Sequence, residues 1–425
     1  MNYKVAPVLL AACLAAASPA RADIVTEWNE IADTRIVGAP PFKNRFMAIV
    51  HVAVHDALNA VDPRYESYTS IPSAGSGASA GAAVSAAAYR TLLAIIPGQA
   101  AALEVIYNGK IAGLSCPAEH PQCITDGILA GEAAASAILS LRGNDGSATP
   151  HLPYTLLPSP GVHQPTPPNF PAPLFAGWAQ VTPFVINSAS QFRADPSDIF
   201  DLVGEVFTRD YNEVKRVGEM NAEANGNRTA DQSAVARFWP GGGANFNLVA
   251  RIVAAGRGLD EWEHARLFAL VNVALHDDTV TVFDTKYTYN FWRPSTAIRA
   301  GATDGNPATD PDPNWVSYQL TPAYPDYTCG LTNNTGAALE VLRRFFGTDD
   351  IAYTLTAAGI TRSYSSLSQA EAEAVDARVF GGMHFRTGCA VGIRQGEKVG
   401  RFVIQHALRE INGKGNGKAK GADNH

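Results

Sequence analysis

Lys286-Tyr-Thr-Tyr-Asn-Phe-Trp-Arg293-Pro294, read together with Arg378-Val-Phe-Gly-Gly-Met-His384, is the stretch on which the reading of this chain turns. Lys286 and Arg293 stand seven residues apart, two helical turns, so both long side chains are expected to leave one helix face. Arg378 and His384 then close a site from a second segment. Three cations and one imidazole in this pattern suit a tetrahedral oxyanion. The chain around them is acidic, with a formal charge of -7, so a basic cluster within it calls for an anionic ligand. The same balance argues against nucleic acid as a partner.

Working outward, the periodicity is helical almost everywhere. Residues 42–62 repeat apolar side chains at helical spacing through Phe46, Met47, Ile49, Val50, Val54, Leu58 and Val61. The Ala-rich runs 79–96 and 124–142 read as helices, and so do 197–208, 211–224, 229–237, 245–257, 261–284, 333–346, 369–380 and 391–411. Residues 147–185 are dense in proline without a period, which predicts a long ordered loop. A second irregular segment covers 300–327. Strand signals are few, so the expected fold class is all-α, a helical-bundle architecture. Hydrophobic residues make up 46% and charged residues 17%, which describes a well-buried globule rather than a disordered chain.

The first 22 residues read as a secretory signal: a basic start to Lys4, an apolar run Val5 to Ala17, and Ala20-Arg21-Ala22 as cleavage site. Its removal takes away Lys4 and Arg21 and moves the formal charge from -7 to -9. Leu10-Ala11-Ala12-Cys13 offers a lipoprotein box as the alternative, although its apolar run is short for that use. An exported protein, periplasmic or secreted, is expected, with no further membrane span. Four cysteines remain: Cys116, Cys123, Cys329 and Cys389, enough for two disulfides. Cys116 and Cys123 bracket a proline-bearing loop and read as a local staple. The expected organisation is signal 1–22, an N-terminal helical half with the Pro-rich loop over 23–185, a C-terminal bundle over 186–411, and a disordered tail over 412–425.

Lys286-x6-Arg293-Pro294 and Arg378-x5-His384 resemble the first and third signatures of the vanadium-dependent haloperoxidase and type-2 phosphatidic acid phosphatase superfamily. The neighbourhoods 286–299 and Met47-Ala-Ile-Val-His-Val-Ala-Val-His-Asp-Ala-Leu-Asn-Ala-Val-Asp62 resemble its secreted bacterial haloperoxidase-like branch. The resemblance implies two four-helix-bundle halves with the anion site in the C-terminal one. It implies that Lys286, Arg293 and Arg378 hold the equatorial oxygens of vanadate, with phosphate as a competing oxyanion. His384 would be the axial ligand of vanadium, or the nucleophile toward phosphorus. Gly381-Gly382 is expected to let the backbone pass close to the anion.

The middle signature departs from the family. Where Pro-Ser-Gly-His is expected after an acidic-aromatic pair, this chain has Asp326-Tyr327-Thr328-Cys329-Gly330-Leu331. The Gly330 N–H, at the start of a helix, still suits an anion. The serine hydroxyl and the acid–base histidine are replaced by Cys329 and Leu331, and loss of such a histidine costs about 10²–10⁴ in rate. Three functions follow: a weakened haloperoxidase acting on hydrogen peroxide and halide, a phosphomonoesterase acting on phosphate esters through His384, and a non-catalytic oxyanion-binding or structural protein. If the site forms, Cys329 and Cys389 approach each other, and a disulfide between them is expected, with two buried thiols as the alternative. His51, His55 and Asp56 read as structural, since a zincin Glu is missing. His276-Asp277-Asp278 also reads as structural, against a replacement acid–base group. Asp284 reads either as a partner for a site arginine or as a surface acid.

Overall fold

The computed structural model describes residues 23–411, so the expected signal segment 1–22 and the tail 412–425 lie outside the described residues. Asp23 caps α1 (Ile24–Arg35) by accepting from Thr26 N at 2.7 Å. Four helices follow: α2 (Pro40–Val61), α3 (Ala80–Ile95), α4 (Ala100–Ala112) and α5 (Cys123–Leu141). Beyond a long loop come α6 (Glu205–Val217), α7 (Ala230–Phe238), α8 (Phe246–Ala254), α9 (Glu261–Tyr289) and α10 (Pro294–Arg299). The chain ends in α11 (Gly330–Phe346), a hairpin of β1 (Tyr353–Ala357) and β2 (Ile360–Tyr364), α12 (Leu367–Phe380) and α13 (Arg386–His406). The fold is all-α with this one small antiparallel hairpin among the described residues.

The 29-residue α9 is the axis of the molecule. It starts in a reciprocal capping box, in which Glu263 N donates to Asp260 Oδ1 and Asp260 N donates to the Glu263 carboxylate. Its middle is buried all round, as expected of a helix packed on every side. It packs on α2 from one half and on α11 and α13 from the other. One apolar cluster therefore runs continuously from Val25 to Leu408.

Two helix pairs are packed backbone to backbone. A Cβ at Gly131 of α5 would lie 2.3 Å from Ala83 O of α3, and one at Gly396 of α13 would lie 2.0 Å from Asn333 O of α11. Helix α5 is long and apolar enough to cross a membrane. Its Glu132 nevertheless pairs with Arg90 on α3, at 3.0 Å from Nε.

The Pro-rich loop is ordered by carboxylates rather than by a core of its own. Asp277 on α9 accepts N–H bonds from Phe184, Val185 and Ile186 at 2.6, 2.7 and 3.0 Å. Burial nevertheless pushes its carboxyl up to about 6. Asp145 holds Arg45 at 2.7 Å and Arg142 at 3.2 Å, tying the loop's start to α2. The expected staple is present as a Cys116–Cys123 disulfide.

Several expected boundaries move. The helices expected over 197–208 and 211–224 are replaced by one, α6, because Asp201 turns the chain by accepting from Val203 N and Gly204 N. Helices α1, α4 and α10 and the hairpin carried no strong period. The hairpin's turn signal is Ala358-Gly359, both at positive φ, which matches the twist of a two-residue turn.

Gly396→Ala is expected to destabilise the protein by about 1–3 kcal/mol through overpacking. Gly109→Ala, on α4 with nothing within 4 Å of its added Cβ, is expected to stabilise it by about 0.4–1 kcal/mol. Chemical denaturation of both variants checks the contrast; equal midpoints would remove the close-packing argument.

Candidate oxyanion site

Lys286 sits in the last turn of α9, fully buried. Asn290 then takes a left-handed conformation (φ 50°) and stops the helix. Arg293 lies beyond, extended, as the residue capping α10. The expectation that Lys286 and Arg293 share a helix face is therefore wrong. The helix ends between them, and a sharp turn brings them together.

The Lys286 ammonium donates to the carbonyls of Pro325 at 2.8 Å, Asp326 at 3.0 Å and Thr328. An ammonium has three donors, and all three are committed to this loop. Burial, then the neighbouring Arg293, pushes Lys286 down to about 7, with Asp326 acting against them. Arg293 donates to Tyr324 O at 2.8 Å, to Met383 O at 2.9 Å and to His384 Nε2 at 2.8 Å. Its Nη2 is buried without a partner, and so is Nε of Arg378 in the last turn of α12.

His384 ends the turn between α12 and α13. Its Nδ1 lies 2.9 Å from Asp326 Oδ1, although without the alignment of a hydrogen bond. Asp326 is thus the carboxylate facing the imidazole, which sequence reading left unnamed. The signal was there in the acidic-aromatic pair Asp326-Tyr327. Gly382 (φ 73°) is also needed for packing. A Cβ there would lie 2.2 Å from Gly218 O, so the glycine serves the contact with the end of α6.

The signature 328–331 is held from behind. Thr328 Oγ1 donates to Gln395 Oε1 at 2.6 Å and accepts from Asn333 Nδ2 at 2.9 Å. Gln395 in turn donates to Thr285 Oγ1 at 2.7 Å. Cys329 precedes the first residue of α11, and its N–H donates to Gly388 O at 3.2 Å. Cys329 and Cys389 are both free and fully buried, so the expected bridge near the site is not formed. Burial raises the Cys329 thiol, but its hydrogen bond with Cys389 and the nearby His384 and Arg378 outweigh this and hold it well below its ordinary range. Burial and that same Cys329 push Cys389 well above it.

A cavity of about 470 Å³ is lined by Lys286, Arg378, His384, Gly330 and Leu331 together with aromatic residues such as Phe175 and Trp239. Arg293 touches His384 from behind this lining. Leu331 faces the cavity and packs against the apolar group of Cys329, Val375, Cys389 and Ile393.

The other candidates lie elsewhere. Asp284 pairs with Arg193 at 2.6 and 2.7 Å, not with a site arginine. His51 meets Asn29 at 2.9 Å and His55 meets Glu66 O at 3.1 Å, both fully buried. Asp56 accepts from the N–H groups of Tyr68 and Thr69. His276 stacks edge-on against Phe184, and burial and Arg142 push it down to about 3. Asp278 accepts from Asn334, joining α9 to α11. These groups are structural. His163, from the Pro-rich loop, was not singled out by sequence; it is buried, with both ring nitrogens unpaired. Burial, Arg293 and Lys286 push it down to about 3.

The scaffold is that of an all-α protein with a buried cationic site opposite the start of a helix. A family model described as the second helical-bundle domain of vanadium chloroperoxidase matches residues 266–413. The vanadium chloroperoxidase of Curvularia inaequalis is 26% identical over 200 residues. That match takes in 40% of this chain and 32% of the relative, so the chain spans about a third of the length of that curated relative. The solved structure of a bacterial vanadium-dependent iodoperoxidase superposes with a TM-score of 0.73 at 25% identity, covering 91% of this chain and 96% of the other. A holo-type bacterial vanadium-dependent chloroperoxidase gives 0.65 at 18% identity, covering 89% and 95%, a likeness of fold. Residues 266–413 thus match that helical-bundle domain, and the fold over most of the chain is that seen in bacterial vanadium-dependent haloperoxidases.

A bound dianion favours protonated Lys286, whose pKa of about 7 in the protein lies below the ordinary 10.5. Sulfate, whose own charge is fixed, is therefore expected to bind more weakly as pH rises above about 7, by up to about tenfold per unit. Calorimetry in two buffers of different ionisation enthalpy should show proton uptake. Affinity independent of pH would separate Lys286 from the anion.

Proposed function

We propose that this chain is an exported, vanadate-binding, haloperoxidase-like protein whose peroxide-dependent oxidation of halide is weakened. The observation that carries the reading is the pair of buried guanidinium donors without partners, Arg293 Nη2 and Arg378 Nε, beside His384. An unpaired buried donor is costly, and an oxyanion relieves two at once. Arg378 and Arg293 would hold the anion, Lys286, with its donors engaged by carbonyls, would contribute its charge, Gly330 at the start of α11 would add a backbone donor, and His384 would bind it. Vanadate, when bound, would supply the centre at which peroxide is activated toward halide. Phosphate, of the same shape, would compete.

The protein's own part is to bind and orient. Asp326 beside Nδ1 and Arg293 donating to Nε2 fix the His384 ring, and the aromatic wall of the cavity limits water. What the chain lacks is a proton-transfer group at Leu331. A second reading, non-catalytic oxyanion binding, is favoured by Leu331 packing into an apolar cluster and by Lys286 being fully occupied with carbonyls. Hydrolysis of phosphate esters through His384 is the reading with least support, because Leu331 leaves no group at that position to protonate the departing alcohol.

Calorimetric titration of mature protein with vanadate tests the binding. Arg378→Ala is expected to weaken it about ten- to a hundredfold, the ~1.5–3 kcal/mol of a charge-assisted hydrogen bond. Unchanged affinity would overturn the assignment. Leu331→His should raise peroxide-dependent halide oxidation by about 10–10³. A folded, vanadate-loaded variant with no gain would leave the non-catalytic reading.

A further inference from the structure

Cys329, His384 and Cys389 converge on one point. One ligand atom from each lies within 4.8 Å of the other two, and all three side chains are buried. Both thiols are free. Around a tetrahedral zinc ion, with Zn–S of about 2.3 Å and Zn–N of about 2.0–2.1 Å, ligand atoms stand roughly 3.5–3.8 Å apart. The three groups are therefore close to a coordinating arrangement before any ion arrives. We propose that they form a binding site for a thiophilic closed-shell ion, zinc or copper(I).

Asp326 is the second, independent sign. It is 1% exposed, neither carboxylate oxygen has a hydrogen-bond partner, and Oδ1 lies 2.9 Å from His384 Nδ1. A carboxylate on one ring nitrogen is what orients a metal-binding imidazole and leaves the lone pair on the other. Arg293 donates to that other nitrogen, Nε2, which shows the lone pair to be there. The ion competes with Arg293 for it, and Arg293 keeps its bonds to Tyr324 O and Met383 O.

Charge decides which ions are suited. A bare divalent cation is repelled by Arg293, Arg378 and Lys286. Two thiolates cancel the charge of zinc and exceed that of copper(I), so the complex adds no positive charge to the pocket. On binding, the Cys389 S–H, and any Cys329 sulfur still protonated, loses its proton to solvent as its sulfur–metal bond forms, and nothing is oxidised. Soft thiolate ligands also select these ions over hard ones. The backbone already holds the two sulfurs together, through Cys329 N donating to Gly388 O. The proposal does not depend on vanadate binding. It adds one consequence: because His384 serves both, thiophilic ion and oxyanion exclude each other.

The test uses mature protein, reduced and kept under argon. Cobalt(II), a spectroscopic stand-in for zinc, should give a thiolate-to-cobalt charge-transfer band and tetrahedral d–d absorption that saturate at one equivalent. Zinc should displace it, and a copper(I) chelator titration should give the rival affinity; whichever ion binds more tightly identifies the occupant. Cys329→Ser and Cys389→Ser should each lose the charge-transfer intensity. Asp326→Asn, isosteric and so the safer variant for folding, should weaken cobalt binding about 10–100-fold. Loading with zinc should abolish the vanadate titration if the oxyanion reading is correct. If vanadate never binds, the cobalt spectrum still decides this site on its own. Absence of the charge-transfer band at one equivalent in the reduced parent would overturn it. So would a Cys329–Cys389 disulfide in peptides from protein isolated without reductant.

Discussion

A lysine ammonium without access to water must find partners for three N–H donors, and Lys286 finds them in the carbonyls of Pro325, Asp326 and Thr328. This constraint shapes the loop that follows. With its carbonyls turned toward α9, the loop presents the Asp326 side chain to His384 and delivers Cys329 to the start of α11. The loop's other face is fixed by Thr328, Gln395 and Thr285, which join α13 to α9. The site is thus assembled by hydrogen bonds to a single loop rather than by side chains standing on one helix. Lys286 is part scaffold and part electrostatics, and its lowered pKa is the cost of that burial.

The second structural dependence is on α9 itself. It is apolar enough along its length to be packed by both halves, and it carries buried carboxylates where they do specific work. Asp277 collects three N–H groups from the Pro-rich loop, and Asp278 takes one from Asn334 of α11. A loop of that length has no core to order it, so its position is set by these bonds and by the aromatic group of Phe175, Trp178 and Phe283. Phe175 and Phe283 also line the cavity. The wall of the site is therefore held by the same helix that carries Lys286 in its last turn.

Segment 328–331 brings soft and apolar side chains into a frame of buried cations. Leu331 extends an apolar cluster toward the cavity, and the thiols of Cys329 and Cys389 lie behind it. Soft and apolar groups thus stand beside arginines and an imidazole that are buried with them. On the proposed reading, donors without an acid–base group at Leu331 favour binding over turnover.

The helical class, most of the long helices and the Cys116–Cys123 staple were legible in the sequence, because 3.6-residue periodicity and local spacing are local properties. Motif spacing, also local, singled out Lys286, Arg293, Arg378 and His384, which the fold brings around one cavity and His384. The absence of a common helix face was not legible, because Asn290 ends α9 with a left-handed residue, and that choice is decided by what packs around it. Nor was the role of Asp326, which depends on a loop folded over a lysine forty residues away in sequence. The packing role of Gly382 was hidden for the same reason: it is set by Gly218 of another segment. The pairing of Asp284 with Arg193 and the meeting of the Cys329 and Cys389 thiols without a bond follow from the geometry of converging backbones. Sequence determined which groups are available and which helices carry them. The tertiary structure alone decided which donors are used up by the backbone and which are left for a ligand, because hydrogen bonds and burial are shared among segments that are distant along the chain.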